Sequence, residues 1–175
     1  RPQALKPNEP LVSGDQFGQT LAIWETLCLV SATKRAVMSS SSSIHADIDG
    51  VVYVFQQNGN REWVDTGVIL SSQVPQDGFG ESASLYKNTA AVGAPKDDTY
   101  GVNSGLVYVY YTSTSSSGTH LLGNYQSIHS ENQKAYDFFG YSVAVVPGNA
   151  YYQHGTVVIG AYGHDFDGRM VDSGA

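Results

Sequence analysis

The side chains in this 175-residue chain that could do chemistry are its eleven aspartates, five histidines, single cysteine and scattered serines. Asp15, Asp77 and Asp137 each stand two positions before a phenylalanine, in DQF, DGF and DFF. A short carboxylate there can accept backbone N–H bonds and fix a turn. Recurrence at three equivalent places points to turn structure rather than catalysis. Two other acidic groups have the oxygen chemistry of a hard cation such as calcium. One is HDFDGRMVD, with Asp165, Asp167 and Asp172; the other is KDDTYGVN, with Asp97, Asp98 and Asn103. Neither has the spacing of a helix–loop–helix calcium loop. Calcium is the one cofactor these groups suggest.

The remaining candidates yield no catalytic constellation. His45, His120, His129, His154 and His164 share no metal-ligand spacing. No GxSxG elbow surrounds any serine. No glycine loop of the phosphate-cradling kind is present. Cys28 lies in the apolar run LCLVS and reads as a small buried side chain. The chain is expected not to be an enzyme.

The elements that must position these residues are strands. Charged residues make up 14% of the chain, aromatics 11%, and glycine occurs 19 times, a strand-and-turn composition. A net charge of −7 argues against a nucleic-acid partner. No apolar run is long enough for a helical membrane span. Arg1 begins no signal peptide, as expected of a processed N-terminus or of an internal segment.

The phenylalanines belong to Phe17-Gly18, Phe79-Gly80 and Phe139-Gly140, spaced by 62 and 60 residues. A fixed period of that size indicates a modular array. Each unit orders its parts alike: the Phe-Gly turn, a strand, a short connection, and a second strand ending in small residues (Ser31-Ala32, Gly93-Ala94-Pro95, Gly160-Ala161). A loop and two further strands follow in the first two units. The expected strands are TLAIW, LCLVSA, VVYVF and WVDTGVIL, then ESASLY, TAAVGA, LVYVYY and LLGNYQSI, then YSVAVV and TVVIGA. The serine run at 39–43 reads as solvated, and the low-complexity stretch TSTSSSGTH at 112–120 separates two expected strands. Four short strands repeated in tandem predict an all-β propeller of four-stranded blades, each needing neighbours to bury its faces. Residues 1–12 read as the tail of a preceding blade, 13–74 and 75–130 as blades, and 131–175 as an incomplete one. That is about two and a half blades.

The central unit carries a specific resemblance. Phe79, Gly80, Ser82, Val92-Gly93-Ala94-Pro95, Asp97-Asp98, Gly101, Ser104-Gly105 and Val107-Tyr108-Val109-Tyr110 resemble the FG-GAP repeats of integrin-α-like β-propellers. The flanking units are degenerate, with SAT and GAY where the family has GAP. The family's calcium loop, DxDxDGxxD between the first two strands of a blade, has no counterpart in Trp24-Glu25-Thr26, Tyr86-Lys87-Asn88 or Pro147 to Gly155.

In this topology the interblade turns and the loops between second and third strands emerge on one face. Ten of the eleven aspartates fall there, Asp65 being the exception. The resemblance implies that this face meets partners. The expected function is a non-catalytic extracellular or cell-surface module for adhesion or assembly. It would bind other blades or chains of the same assembly, or a protein or glycan ligand, in the manner of a surface filament component. The alternatives are a carbohydrate-binding propeller and accessory repeats of a larger secreted hydrolase. Trp63 and the VYVYY tyrosines are candidates for sugar stacking, but their alternation favours blade packing.

Overall fold

The computed structural model describes residues 2–35, 50–114, 120–147 and 156–165. Its strands are β1 (Phe17–Trp24), β2 (Leu27–Ala32), β3 (Val51–Gln57), β4 (Trp63–Leu70), β5 (Ser82–Tyr86), β6 (Thr89–Ala94), β7 (Leu106–Thr114), β8 (His120–Ile128), β9 (Ser142–Val146) and β10 (Thr156–Gly160). They form antiparallel meanders β1-β2-β3-β4 and β5-β6-β7-β8 and the pair β10-β9. The fold is all-β, and no helix occurs among the described residues. The sheets stack face to face as propeller blades do, and among the described residues they do not close into a ring.

Period-2 alternation explains the stacking, since successive side chains on a strand point to opposite faces. On β2 and β3, Leu27, Leu29, Val52 and Val54 face the second sheet. Cys28, Val30, Ala32, Val51, Tyr53 and Phe55 face the other way. On the second sheet, Ala90, Val92, Leu106, Tyr108 and Tyr110 meet the first. Ala91, Val107 and Val109 meet Val145, Val157 and Ile159 of the last pair. Inner strands apolar on both faces must therefore be covered twice.

Two strands run further than their composition suggests. The pairs Thr112↔Leu122, Ser113↔Leu121 and Thr114↔His120 carry β7 and β8 into the Ser/Thr stretch. Ladder hydrogen bonds override a solvated-looking composition there, and threonine suits a pleated strand. The expected loop shortens to at most residues 115–119, which lie outside the described residues, as does the serine run at 39–43. Strand β1 starts three residues early, at Phe17, with a register shift before Leu21.

Residues 2–12 form no strand. Leu5 packs on the outward face of the first sheet with Phe17, Trp63 and Ile69. The Gln3 amide donates to Trp63 O (2.7 Å) and accepts from the Trp63 N–H (2.8 Å), acting as a partner for β4. Arg35 locks the segment in place. Its guanidinium donates to Asp15 (2.7 Å), Glu9 (3.2 Å) and Pro10 O (2.9 Å). Arg35→Ala would leave the buried Asp15 carboxylate without its cation, a loss expected to cost about 3 kcal/mol in urea unfolding. Hydrogen exchange at the Trp63 amide should accelerate with it. Unaltered exchange would mean that Arg35 does not hold this segment.

Candidate functional site

All three Phe-Gly turns share one hydrogen-bond scheme. The N–H of Lys34, Lys96 and Gly163 donates to the main-chain oxygen of Asp15 (3.1 Å), Asp77 (2.9 Å) and Asp137 (3.2 Å). The N–H of Gln19, Glu81 and Tyr141 closes each turn on the oxygen of Gln16 (3.2 Å), Gly78 (3.0 Å) and Phe138 (3.0 Å). Interblade turns and second-strand exits thus meet on one face, the candidate partner-binding face. In the first two units the residue two after Phe-Gly stitches sheets together: Thr20 Oγ1 donates to Glu81 O (3.0 Å) and Ser82 Oγ to Gly140 O (2.7 Å).

The close approach explains the glycines. Gly50 and Gly105 precede β3 and β7, and both have positive φ (+68° and +89°). A β-carbon on Gly50 would overlap Phe79 O, and one on Gly105 would overlap Phe139 N and O. Phe79 itself is fully buried, packed edge-on to Tyr108 with centroids 5.5 Å apart. Phe17 repeats that pose on Tyr53 at 5.7 Å.

Among the six described aspartates of this face, four are withdrawn from solvent. Asp15, Asp77, Asp97 and Asp137 are all buried. Asp15 accepts from the Val12 N–H (2.8 Å), Asp77 from Phe79 (2.9 Å), Asp97 from Thr99 (2.8 Å) and Asp137 from Lys134 (2.7 Å). Asp98 is exposed and caps the Asn103 N–H (2.7 Å), with Asn103 at φ +50°. In the KDDTYGVN loop each carboxylate therefore serves a turn of its own. Asp165 is half-buried, while Asp167, Asp172, Asp47 and Asp49 lie outside the described residues. Among the described residues no three His, Cys, Asp or Glu side chains converge as metal ligands. The β1–β2 and β5–β6 connections are two-residue turns, Glu25-Thr26 and Lys87-Asn88, too short for the family's calcium loop. Asp65, off this face, caps the bulge in β4 by accepting from the Gly67 N–H (2.9 Å).

The aromatics fall into two groups. Trp63 packs on the outer face of the first sheet, and Tyr108 and Tyr110 lie in the core between sheets. Of the tyrosines in VYVYY, only Tyr111 is exposed. Three exposed rings that sequence reading missed sit on the third turn: Tyr136, Tyr141 and Tyr162 are 57%, 54% and 50% exposed. Phe138 stacks on Tyr162 at 5.0 Å, and Tyr141 meets Tyr162 edge-on at 4.6 Å. Nearby, Tyr100 stacks on His129 at 4.2 Å.

Comparison of the turns shows what is particular about the third. At the places of Phe138, Tyr141 and Tyr162, the second turn has Gly78, Glu81 and Pro95, with Glu81 paired to Lys96. The first has Gln16, Gln19 and Thr33, with Thr33 Oγ1 donating to Gln16 (2.9 Å). The turn therefore closes without aromatic rings. Phe138 and Tyr136 also hold positive φ (+53° and +67°), which a bulky side chain adopts only at a cost. Aligning the three turns in sequence would have revealed this substitution, but not its exposure.

Residues 63–110 match the family described as FG-GAP repeat. The matched span begins on β4 of the first sheet and ends on β7 of the second, so it crosses a sheet boundary. No curated protein matches the chain. Among the described residues no helix is long and apolar enough to cross a membrane.

Proposed function

We propose that this chain, with its FG-GAP repeat at residues 63–110, is a non-catalytic module for adhesion or assembly at the cell surface or outside the cell, binding a protein partner through its turn face. Repeats of this kind typically mediate protein–protein contacts, generally in extracellular or surface proteins. The observation that carries the reading is the aromatic cluster on the third turn, in which Tyr136, Tyr141 and Tyr162 are exposed and Phe138, stacked on Tyr162, is half-buried. Rigid tyrosines offer large contact area together with a hydrogen-bonding tip, and they concentrate at binding hot spots. The turn itself does not need them.

The second turn supplies the test. Replacing the third turn's rings by its residues (Phe138→Gly, Tyr141→Glu, Tyr162→Pro) should keep the fold, since that backbone already accepts them and glycine relieves the positive φ. Adhesion of the source organism's cells to a surface coated with the protein should fall at least tenfold in the triple variant. Equal adhesion by both proteins sinks the proposal. A glycan ligand is the second reading, favoured by the same exposed tyrosines. Protease treatment of the cells should abolish adhesion to a protein partner, and periodate treatment adhesion to a glycan.

A further inference from the structure

The three repeats fill the position after the second-strand turn differently, and in the first and third its side chain meets the turn aspartate. In the first it is Arg35, whose guanidinium meets Asp15 at 2.7 Å. In the third it is His164, whose Nδ1 lies 3.0 Å from the Asp137 carboxylate. In the second it is Asp97, an acid where both neighbours place a basic group. The backbone is the same in all three: the N–H of Arg35, Asp97 and His164 donates to the oxygen of Ala32 (3.1 Å), Ala94 (3.2 Å) and Ala161 (3.3 Å). Asp77 and Asp97 are each only 1% exposed. Asp97 Oδ1 accepts from Thr99, whereas Asp97 Oδ2 is buried with no hydrogen bond among the described residues. Tyr108 occupies the register position of Tyr53 in the first sheet, next to this pair of positions. Its phenol is pushed well above its ordinary pKa by burial and then by the charges of Asp97 and Asp77. Tyr53 is raised by burial too, but there Arg35 acts in the opposite direction.

We propose that the second repeat binds a divalent, oxygen-seeking cation of the calcium class between Asp77 and Asp97, in the place that Arg35 and His164 fill in the neighbouring repeats. A buried carboxylate is tolerated when it is paired or coordinates a metal. A buried carboxylate oxygen without a partner requires an explanation, an ion being one. Hard cations take carboxylate and other oxygen ligands, and a double charge balances two acids. Lys96 is engaged with Glu81 at the rim of this turn. The site is separate from the exposed cap that Asp98 makes.

Terbium and calcium are the probes. Terbium should give tyrosine-sensitised emission, because Tyr108 adjoins the site, and added calcium should quench it by displacement. Saturating calcium should raise the melting temperature by about 5 °C. Asp97→Arg installs the first repeat's cation and should abolish both responses while keeping the fold. Should that variant fail to fold, Asp97→Asn preserves the shape and should abolish them as well. Asp98→Ala should retain both. Two results would overturn the assignment. One is a wild-type protein indifferent to both ions. The other is a response that survives the Asp97 substitutions.

Discussion

Gly93→Ala is expected to destabilise the protein by about 3 kcal/mol or more, at the upper end of the cost of overpacking. A β-carbon there would overlap Gly140 O and Ser82 Oγ. The first is main chain of the next turn. The second is the hydroxyl that donates to that same oxygen at 2.7 Å. The hydroxyl can rotate away only by giving up that bond, and the main-chain oxygen cannot yield without moving the third turn off the second sheet, so that Val145, Val157 and Ile159 would lose their packing on Ala91, Val107 and Val109. Gly59→Ala is the control. Nothing lies within 4 Å of its β-carbon and its φ is ordinary, so it should stay within about 0.5 kcal/mol of wild type. Urea unfolding of the two variants decides the matter. Equal midpoints would mean that the sheets do not stack as closely as described.

Phe79→Ala should cost about 3–5 kcal/mol, the usual range for a fully buried phenylalanine. Its ring is 0% exposed and lies between the first two sheets, against the core that joins Leu29, Val52 and Val54 to Val92 and Tyr108. Few neighbours can collapse into the gap, because Gly50 and Gly80 on either side are held at positive φ (+68° and +86°). Phe17→Ala offers the comparison. That ring has the same motif position and the same edge-on tyrosine partner, but it is half-buried, covered on its outer side by residues 2–12 instead of another sheet. Its loss should cost clearly less. If chemical denaturation finds the two variants equally destabilised, the Phe-Gly ring does not owe its effect to burial between sheets.

The two predictions rest on residues whose repetition is visible without any structure. Phe17, Phe79 and Phe139, with their glycines, recur at a spacing that only a modular array produces, and the alternation in VVYVF and LVYVY marks strands covered on both faces. That much is local chemistry, since strand periodicity and turn residues are written in neighbouring positions. The placement of Trp63, Tyr108 and Tyr110 in packing also follows from alternation.

Which side chains end up paired or exposed is a different matter. The aspartates of the turn face look from their spacing like an acidic display, yet Asp15, Asp77, Asp97 and Asp137 are buried as turn caps. Residues 1–12 read as the tail of a preceding blade, but their sequence does not say that residues 2–12 cover a sheet face through Leu5 and Gln3. Asp97 reads as one half of an acidic dipeptide until the folded turns place it where Arg35 and His164 stand. The physical reason is common to these cases. A strand or a turn is specified by residues a few positions apart, so the sequence alone determined the repeats, the strands and the all-β class. Burial and charge pairing depend on groups brought together from 15 to 60 positions away, such as Glu81 with Lys96 or Gln3 with Trp63. Only the stacking of one sheet on the next decided those.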